Sequence, residues 1–121
     1  QGLGENDSLI TLDSTMNTQD KIHAQVNANP VVLYMKGTPQ FPQCGFSGAT
    51  VQMLQACGLR DFSTIDVLAD PEIRAGIKAY ANWPTIPQLY VNGDLVGGAD
   101  IVHEMYESGE LQLLVNSARA V

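Results

Sequence analysis

Apolar residues recur along this chain with two periods, and the alternation between those periods predicts its elements. Between residue 18 and about residue 27, Ile22 and Val26 stand four apart on one helix face, with Thr18 placed to cap the helix. Asn29-Pro30 ends it, because the residue before a proline is pushed out of the helical region. Val31–Met35 (VVLYM) is an unbroken apolar run, the pattern of a strand buried on both faces. Residues 36–43 (KGTPQFPQ) hold two prolines and a glycine and read as a loop. Helical spacing returns from Cys44 to about Ala56, with Val51, Met53 and Leu54 turned inward and Gly58 just past the end. Residues 62–67 (FSTIDV) predict a second strand. Asp70-Pro71 pairs an N-cap with a proline at the first helical position, and Ile73, Ile77 and Tyr80 give that helix its core face. Two prolines interrupt residues 82–87. Asn92-Gly93 is then a two-residue hairpin turn between strands over 88–91 and 94–96. Helices are predicted over about 100–107, after Gly97-Gly98, and over 110–118.

The order α-β-α-β-α-β-β-α-α implies the α/β class, with a four-stranded mixed sheet flanked by helices. The 121 residues, 45% of them hydrophobic, suit one domain with one buried core. Residues 1–15 follow neither period. They read as a disordered tail, either a cloning remnant or a natural arm, before a domain over 16–121 that starts at Met16. A net charge of −7 offers no field for phosphate backbones, which argues against nucleic acid. No apolar run approaches the roughly 20 residues of a membrane span. Two cysteines exclude a disulfide-rich scaffold and point to a reducing compartment, the cytoplasm.

Topology draws attention to Cys44. Ligand sites in open α/β sheets lie beyond the carboxyl ends of strands, and Cys44 follows the first strand at the start of a helix. Helix N-termini carry partial positive charge and unpaired N–H groups, so a thiol there ionises below its free value of about 8.5. Lys36 adds to that field. The expectation is an exposed, reactive thiolate. A dithiol mechanism needs a resolving cysteine three residues on, where this chain has Ser47. Cys57 lies further along the same predicted helix, roughly 20 Å away at the helical rise. That exceeds the ~7 Å that a disulfide spans between Cα atoms. Cys57 is therefore expected to be a packing residue. His23 and His103 are isolated on helices, and no Cys/His set has zinc spacing.

Lys36 with Cys44-Gly45-Phe46-Ser47 resembles a monothiol glutaredoxin of the thioredoxin-like fold. Three further segments extend the resemblance in order over about residues 16–118: Asp70-Pro71-Glu72-Ile73-Arg74, Trp83-Pro84-Thr85-Ile86-Pro87 and Gly97-Gly98-Ala99-Asp100. The likeness is to the single-domain bacterial and organellar class. It implies a bacterial cytoplasmic protein that binds glutathione and, as a homodimer, a 2Fe-2S cluster destined for apo iron–sulfur acceptors. Such a cluster usually takes four thiolates. Cys44 from each of two chains and two glutathiones would supply them. The resemblance assigns Lys36 and Arg74 to the glycyl carboxylate. It assigns Thr85, Ile86 and a cis-Pro87 to the cysteinyl part, and Gly98, Ala99 and Asp100 to the γ-glutamyl end, with Gly45 and Phe46 beside the thiol. Ala99 stands where many members carry a second cysteine. Cluster-bridged pairs with BolA-like proteins are a further implication. The alternative function is a glutathione-dependent thiol-disulfide oxidoreductase with Cys44 as nucleophile. The loop over 38–43 resembles the class that performs that reaction poorly.

Overall fold

In the computed structural model, residues 17–119 are described, and the expected tail over 1–15 and start at Met16 lie outside them. The elements are α1 (Thr18–Asn27), β1 (Val31–Met35), α2 (Gly45–Ala56), β2 (Ser63–Asp66), α3 (Pro71–Ala81), β3 (Gln88–Val91), β4 (Asp94–Gly97), α4 (Ala99–Ser108) and α5 (Glu110–Arg119). The sheet order is β2-β1-β3-β4. β1 runs parallel to β2 and antiparallel to β3, and β3 pairs antiparallel with β4. This is the four-stranded mixed sheet expected from the chain pattern.

β1 explains why the sheet needs helices on both faces. All five of its residues are buried, and alternate side chains enter different cores. Val31, Leu33 and Met35 join Leu54 of α2, Val102 of α4 and Val115 of α5. Val32 and Tyr34 join Ile22 of α1, Ile73 and Ile77 of α3, and Tyr90 of β3. The hairpin turn has the local chemistry its sequence requires, with positive φ at Asn92 (53°) and Gly93 (84°).

Two boundaries differ from the sequence expectation. Asn17, not Thr18, caps α1: its side-chain oxygen accepts the Asp20 N–H at 2.8 Å. Asn ranks above Thr as a cap, and extended backbone at Asn17 aims its oxygen at the first turn. β2 spans only Ser63–Asp66, because its ladder with β1 covers just the four pairs from Val32↔Ser63 to Met35↔Asp66. Phe62 instead packs, half-buried, against the core. Elsewhere the caps match expectation. Asp70 accepts from the Glu72 and Ile73 N–H groups ahead of Pro71, and Gly58 adopts φ +86° after α2.

Candidate functional site

The loop that delivers Cys44 is a small hairpin. The Gln43 N–H donates to the Lys36 carbonyl (2.9 Å), Gly37 bridges Pro42, and Thr38 and Phe41 exchange backbone hydrogen bonds. Gly37 sits at φ +88°, and its N–H donates to Asp66 Oδ1 at 2.9 Å. The same carboxylate accepts from Leu68, so the end of β2 holds the start of the loop. The chain returns with Cys44 extended (φ −152°, ψ 133°) as the N-cap of α2. Its side chain makes no capping hydrogen bond, which leaves the sulfur available.

Cys44 is half-buried, and its thiol lies below the ordinary value. The main cause is the Ser47 backbone N–H. The Phe46 N–H, the Ser47 hydroxyl and the Lys36 charge act the same way, and partial burial opposes them. Ser47 is fully buried, and its Oγ accepts the Lys36 N–H at 3.1 Å. One hydroxyl thus ties the loop to the sulfur's surroundings, a role the sequence reading missed. The available signal was its position three residues past the N-cap, facing the cap residue. Ser47→Ala is expected to move the pH midpoint of iodoacetamide alkylation of Cys44 upward but not to the free-thiol value, since the backbone N–H remains. It should also cost about 1–2 kcal/mol in urea unfolding, because the Lys36 N–H loses its partner.

Cys57 is buried at the other end of α2, and burial pushes its thiol up. Both cysteines are free. Cys57→Ala should cost about 1–2 kcal/mol of stability and leave Cys44 alkylation unchanged. His23 Nδ1 lies 3.2 Å from the Tyr80 hydroxyl, and His103 faces Glu107 at 3.8 Å on exposed α4. Among the described residues, no group of three or more His, Cys, Asp or Glu could hold a metal ion, and no helix is long and apolar enough to cross a membrane.

Two residues past Cys44, Phe46 lines a cleft of about 180 Å³. Phe46 forms one wall; Thr85, Ile86 and Pro87 form another; Gly98, Ala99 and Asp100 open α4 at its end. The Ile86-Pro87 peptide is cis. The β1–β3 ladder stops at Tyr34↔Gln88, and the next outward partner, Lys36, is already bonded to Ser47 Oγ and the Gln43 N–H. The Ile86 backbone N–H and carbonyl therefore have no partner among the described residues. Gly98, the N-cap of α4, has no side chain to occupy the first-turn N–H groups. A Cβ there would lie 3.1 Å from Trp83 Nε1 and 3.3 Å from the Pro87 carbonyl oxygen, so glycine permits this close packing. Trp83, which carries part of the family resemblance but was assigned no role in the site, lines the cleft with its Nε1 buried and unpaired.

Cys44 and Gly45 do not line that cleft; they line a separate shallow depression with Pro42, Gln43 and Gly48. Lys36 acts on the thiol electrostatically. Arg74 is exposed on α3 and is not part of the cleft lining. The arrangement offers one thiolate and, two residues on, a slot with free backbone groups, a form suited to an extended peptide bearing its own thiol.

Comparison with known proteins agrees with this geometry. The glutaredoxin family model matches residues 31–96. The chain is 56% identical over 103 residues to Glutaredoxin 4 of Escherichia coli, covering 85% of this chain and 89% of that protein. It is equally identical, over 85% of its length and 95% of the relative's, to the monothiol glutaredoxin ycf64-like protein of Synechocystis. The solution structure of reduced poplar apo GrxS14 superposes with a TM-score of 0.72 at 44% identity, over 84% of this chain and 92% of that one. A buckwheat glutaredoxin–glutathione complex shares the fold, with a TM-score of 0.74 at 24% identity over 86% and 92% of the two chains. With Cys-Gly-Phe-Ser at the start of α2 and serine in the resolving position, this chain belongs to the glutaredoxin family, as a monothiol glutaredoxin of thioredoxin-like fold.

Proposed function

We propose that this protein binds a 2Fe-2S cluster with glutathione and passes it to apo iron–sulfur acceptors in the cytoplasm. The observation that carries the reading is a single activated thiolate, Cys44, at the start of the helix whose Phe46 lines a cleft with free backbone groups. Cluster ligation usually needs four thiolates. One chain supplies one from Cys44, so two chains and two bound glutathione thiols complete the set. Serine at position 47 and the distance to Cys57 keep Cys44 from being lost to an internal disulfide.

Glutathione lies extended along the Thr85–Pro87 segment, pairing with the Ile86 backbone. Its γ-glutamyl carboxylate takes the N–H groups at the start of α4 around Gly98 and Ala99, where the helix dipole favours an anion. Asp100 takes the ammonium. Lys36, with Arg74 reaching in from α3, supplies charge for the glycyl carboxylate. Gly45 and the exposed Phe46 flank the sulfur, where a second protomer or a BolA-like partner approaches. A cargo held partly by free glutathione is released more readily than one held by four protein ligands.

The lowered Cys44 thiol also favours a second reading, glutathione-dependent disulfide reduction. Cys44 would attack the glutathione sulfur of a mixed disulfide and release the protein thiolate. A second glutathione thiolate would then free Cys44 and leave as glutathione disulfide. Anaerobic reconstitution with iron, sulfide and glutathione, followed by gel filtration, separates the two. The carrier reading expects a coloured dimer with two glutathiones per cluster, reverting to a colourless monomer when glutathione is removed. A colourless monomer throughout overturns it.

A further inference from the structure

The face of the sheet under α1 and α3 is an apolar core with one unexpected occupant. Gln88 is fully buried there, the first residue of β3 and the neighbour of Pro87. Burying a primary amide is costly unless its polar atoms are satisfied. Here they are. Nε2 donates to the Trp83 carbonyl at 3.1 Å and to the Thr85 carbonyl at 3.2 Å. Oε1 accepts the Tyr90 hydroxyl at 3.0 Å. Only this amide orientation serves, because both loop carbonyls can only accept. Tyr90 is itself buried and is fixed by an edge-on contact with Tyr34, whose ring centroid is 5.6 Å away.

We propose that Gln88, braced by Tyr90, is a positioning residue that sets the shape of the glutathione cleft through the Trp83 and Thr85 carbonyls. Residues 82–87 have no regular ladder of their own, and prolines at 84 and 87 cannot donate hydrogen bonds. The two bonds from Gln88 pull this segment down onto the sheet. They hold Thr85 and the free Ile86 backbone in the cleft wall and keep Trp83 against Gly98. The Cys44 thiol answers to Ser47, Phe46 and Lys36, none of which Gln88 hydrogen-bonds, so the strut acts on glutathione and not on the thiol.

This inference rests on the proposed glutathione site, and the test separates the two. Reduced glutathione is titrated into the reduced full chain and followed by amide NMR shifts. Gln88→Met keeps length and removes the donors; Tyr90→Phe removes only the brace. Val115→Ala, in the core on the other face, controls for general loss of stability. The expected result is an affinity about tenfold weaker in Gln88→Met and severalfold weaker in Tyr90→Phe. Val115→Ala and the pH midpoint of Cys44 alkylation should stay at wild-type values. Should Gln88→Met fail to fold, Tyr90→Phe alone decides. Wild-type affinity in the folded variants, or an equal loss in Val115→Ala, overturns the strut while the glutathione reading stands. Absence of saturable binding by the wild-type chain overturns both.

Discussion

Cys44→Ser is expected to abolish retention of a 2Fe-2S cluster and to leave the fold as stable as before, or slightly more so. A serine hydroxyl does not ionise near neutral pH, so the chain loses the thiolate that the proposed function assigns to iron. The packing consequence is small, because the Cys44 side chain makes no capping bond. Serine is among the preferred N-cap residues, and its hydroxyl can accept the N–H groups that now face the sulfur. That gain is about 0.5–1 kcal/mol. Visible absorbance after anaerobic reconstitution and a thermal melt check the two halves. Retained colour in the variant would refute the ligand assignment.

A change in pH dependence accompanies this loss. The Cys44 thiol ionises at lower pH in the folded chain than when unfolded. Between the two values the unfolded state binds more protons, so stability rises with pH through that window and is lost again as pH falls through the folded value. Cys44→Ser removes that rise. The buried Cys57 has the opposite sign, since burial raises its thiol. Urea unfolding of both proteins across the alkaline range reads the difference.

Gly37→Ala, at the single glycine of the pre-cysteine loop, should destabilise the fold more than Gly109→Ala, a replacement at a similar backbone angle in open space. Two separate effects add at this position. At φ +88° an L residue is strained by about 1–2 kcal/mol. The added Cβ would also lie 2.5 Å from the Phe41 carbonyl oxygen and 2.7 Å from the Gln43 N, both backbone atoms that no side-chain rotation can move. Relief requires opening the Lys36–Gln43 hydrogen bond that sets the approach to Cys44. The combined cost is about 3 kcal/mol or more. Gly109→Ala isolates the first effect, since Gly109 has φ +86° with nothing within 4 Å of its virtual Cβ. It should lose only about 1–2 kcal/mol. Equal losses at the two sites in urea titrations would show that the loop yields and that the clash carries no weight. Cys44 alkylation should slow in Gly37→Ala and stay unchanged in Gly109→Ala.

Much of this architecture was legible in the chain because its causes are local. An unbroken apolar pentapeptide bounded by Asn29-Pro30 and a proline-glycine loop fits a strand covered on both faces, and β1 is that. Asp70-Pro71, Asn92-Gly93 and Gly58 act through their own backbone preferences, so they mark boundaries before any packing is known. The same holds for Cys44: the N–H groups that lower its thiol belong to the next turn of its own helix. Its separation from Cys57 follows from helical rise alone. The cap of α1 was misread between adjacent residues, since Asn17 and Thr18 are both competent and only the backbone angle chooses.

The remainder was decided by contacts between segments far apart in sequence. Phe46, residues 85–87 and residues 98–100 share a cleft because β3 lies antiparallel beside β1 and α4 returns over the sheet. The Ile86 backbone is free because a loop bond captures Lys36, a competition that no sequence period reveals. The exposure of Arg74 follows from Ile73 and Ile77 turning the apolar face of α3 onto the sheet. Ser47 and Gln88 look like ordinary polar residues in the chain. The chain pattern alone was enough for the elements, for a cysteine at a helix start and for the missing resolving thiol. Which buried polar groups shape the site follows from the folded contacts, because hydrogen-bond partners depend on strand register and helix packing rather than on neighbours in sequence.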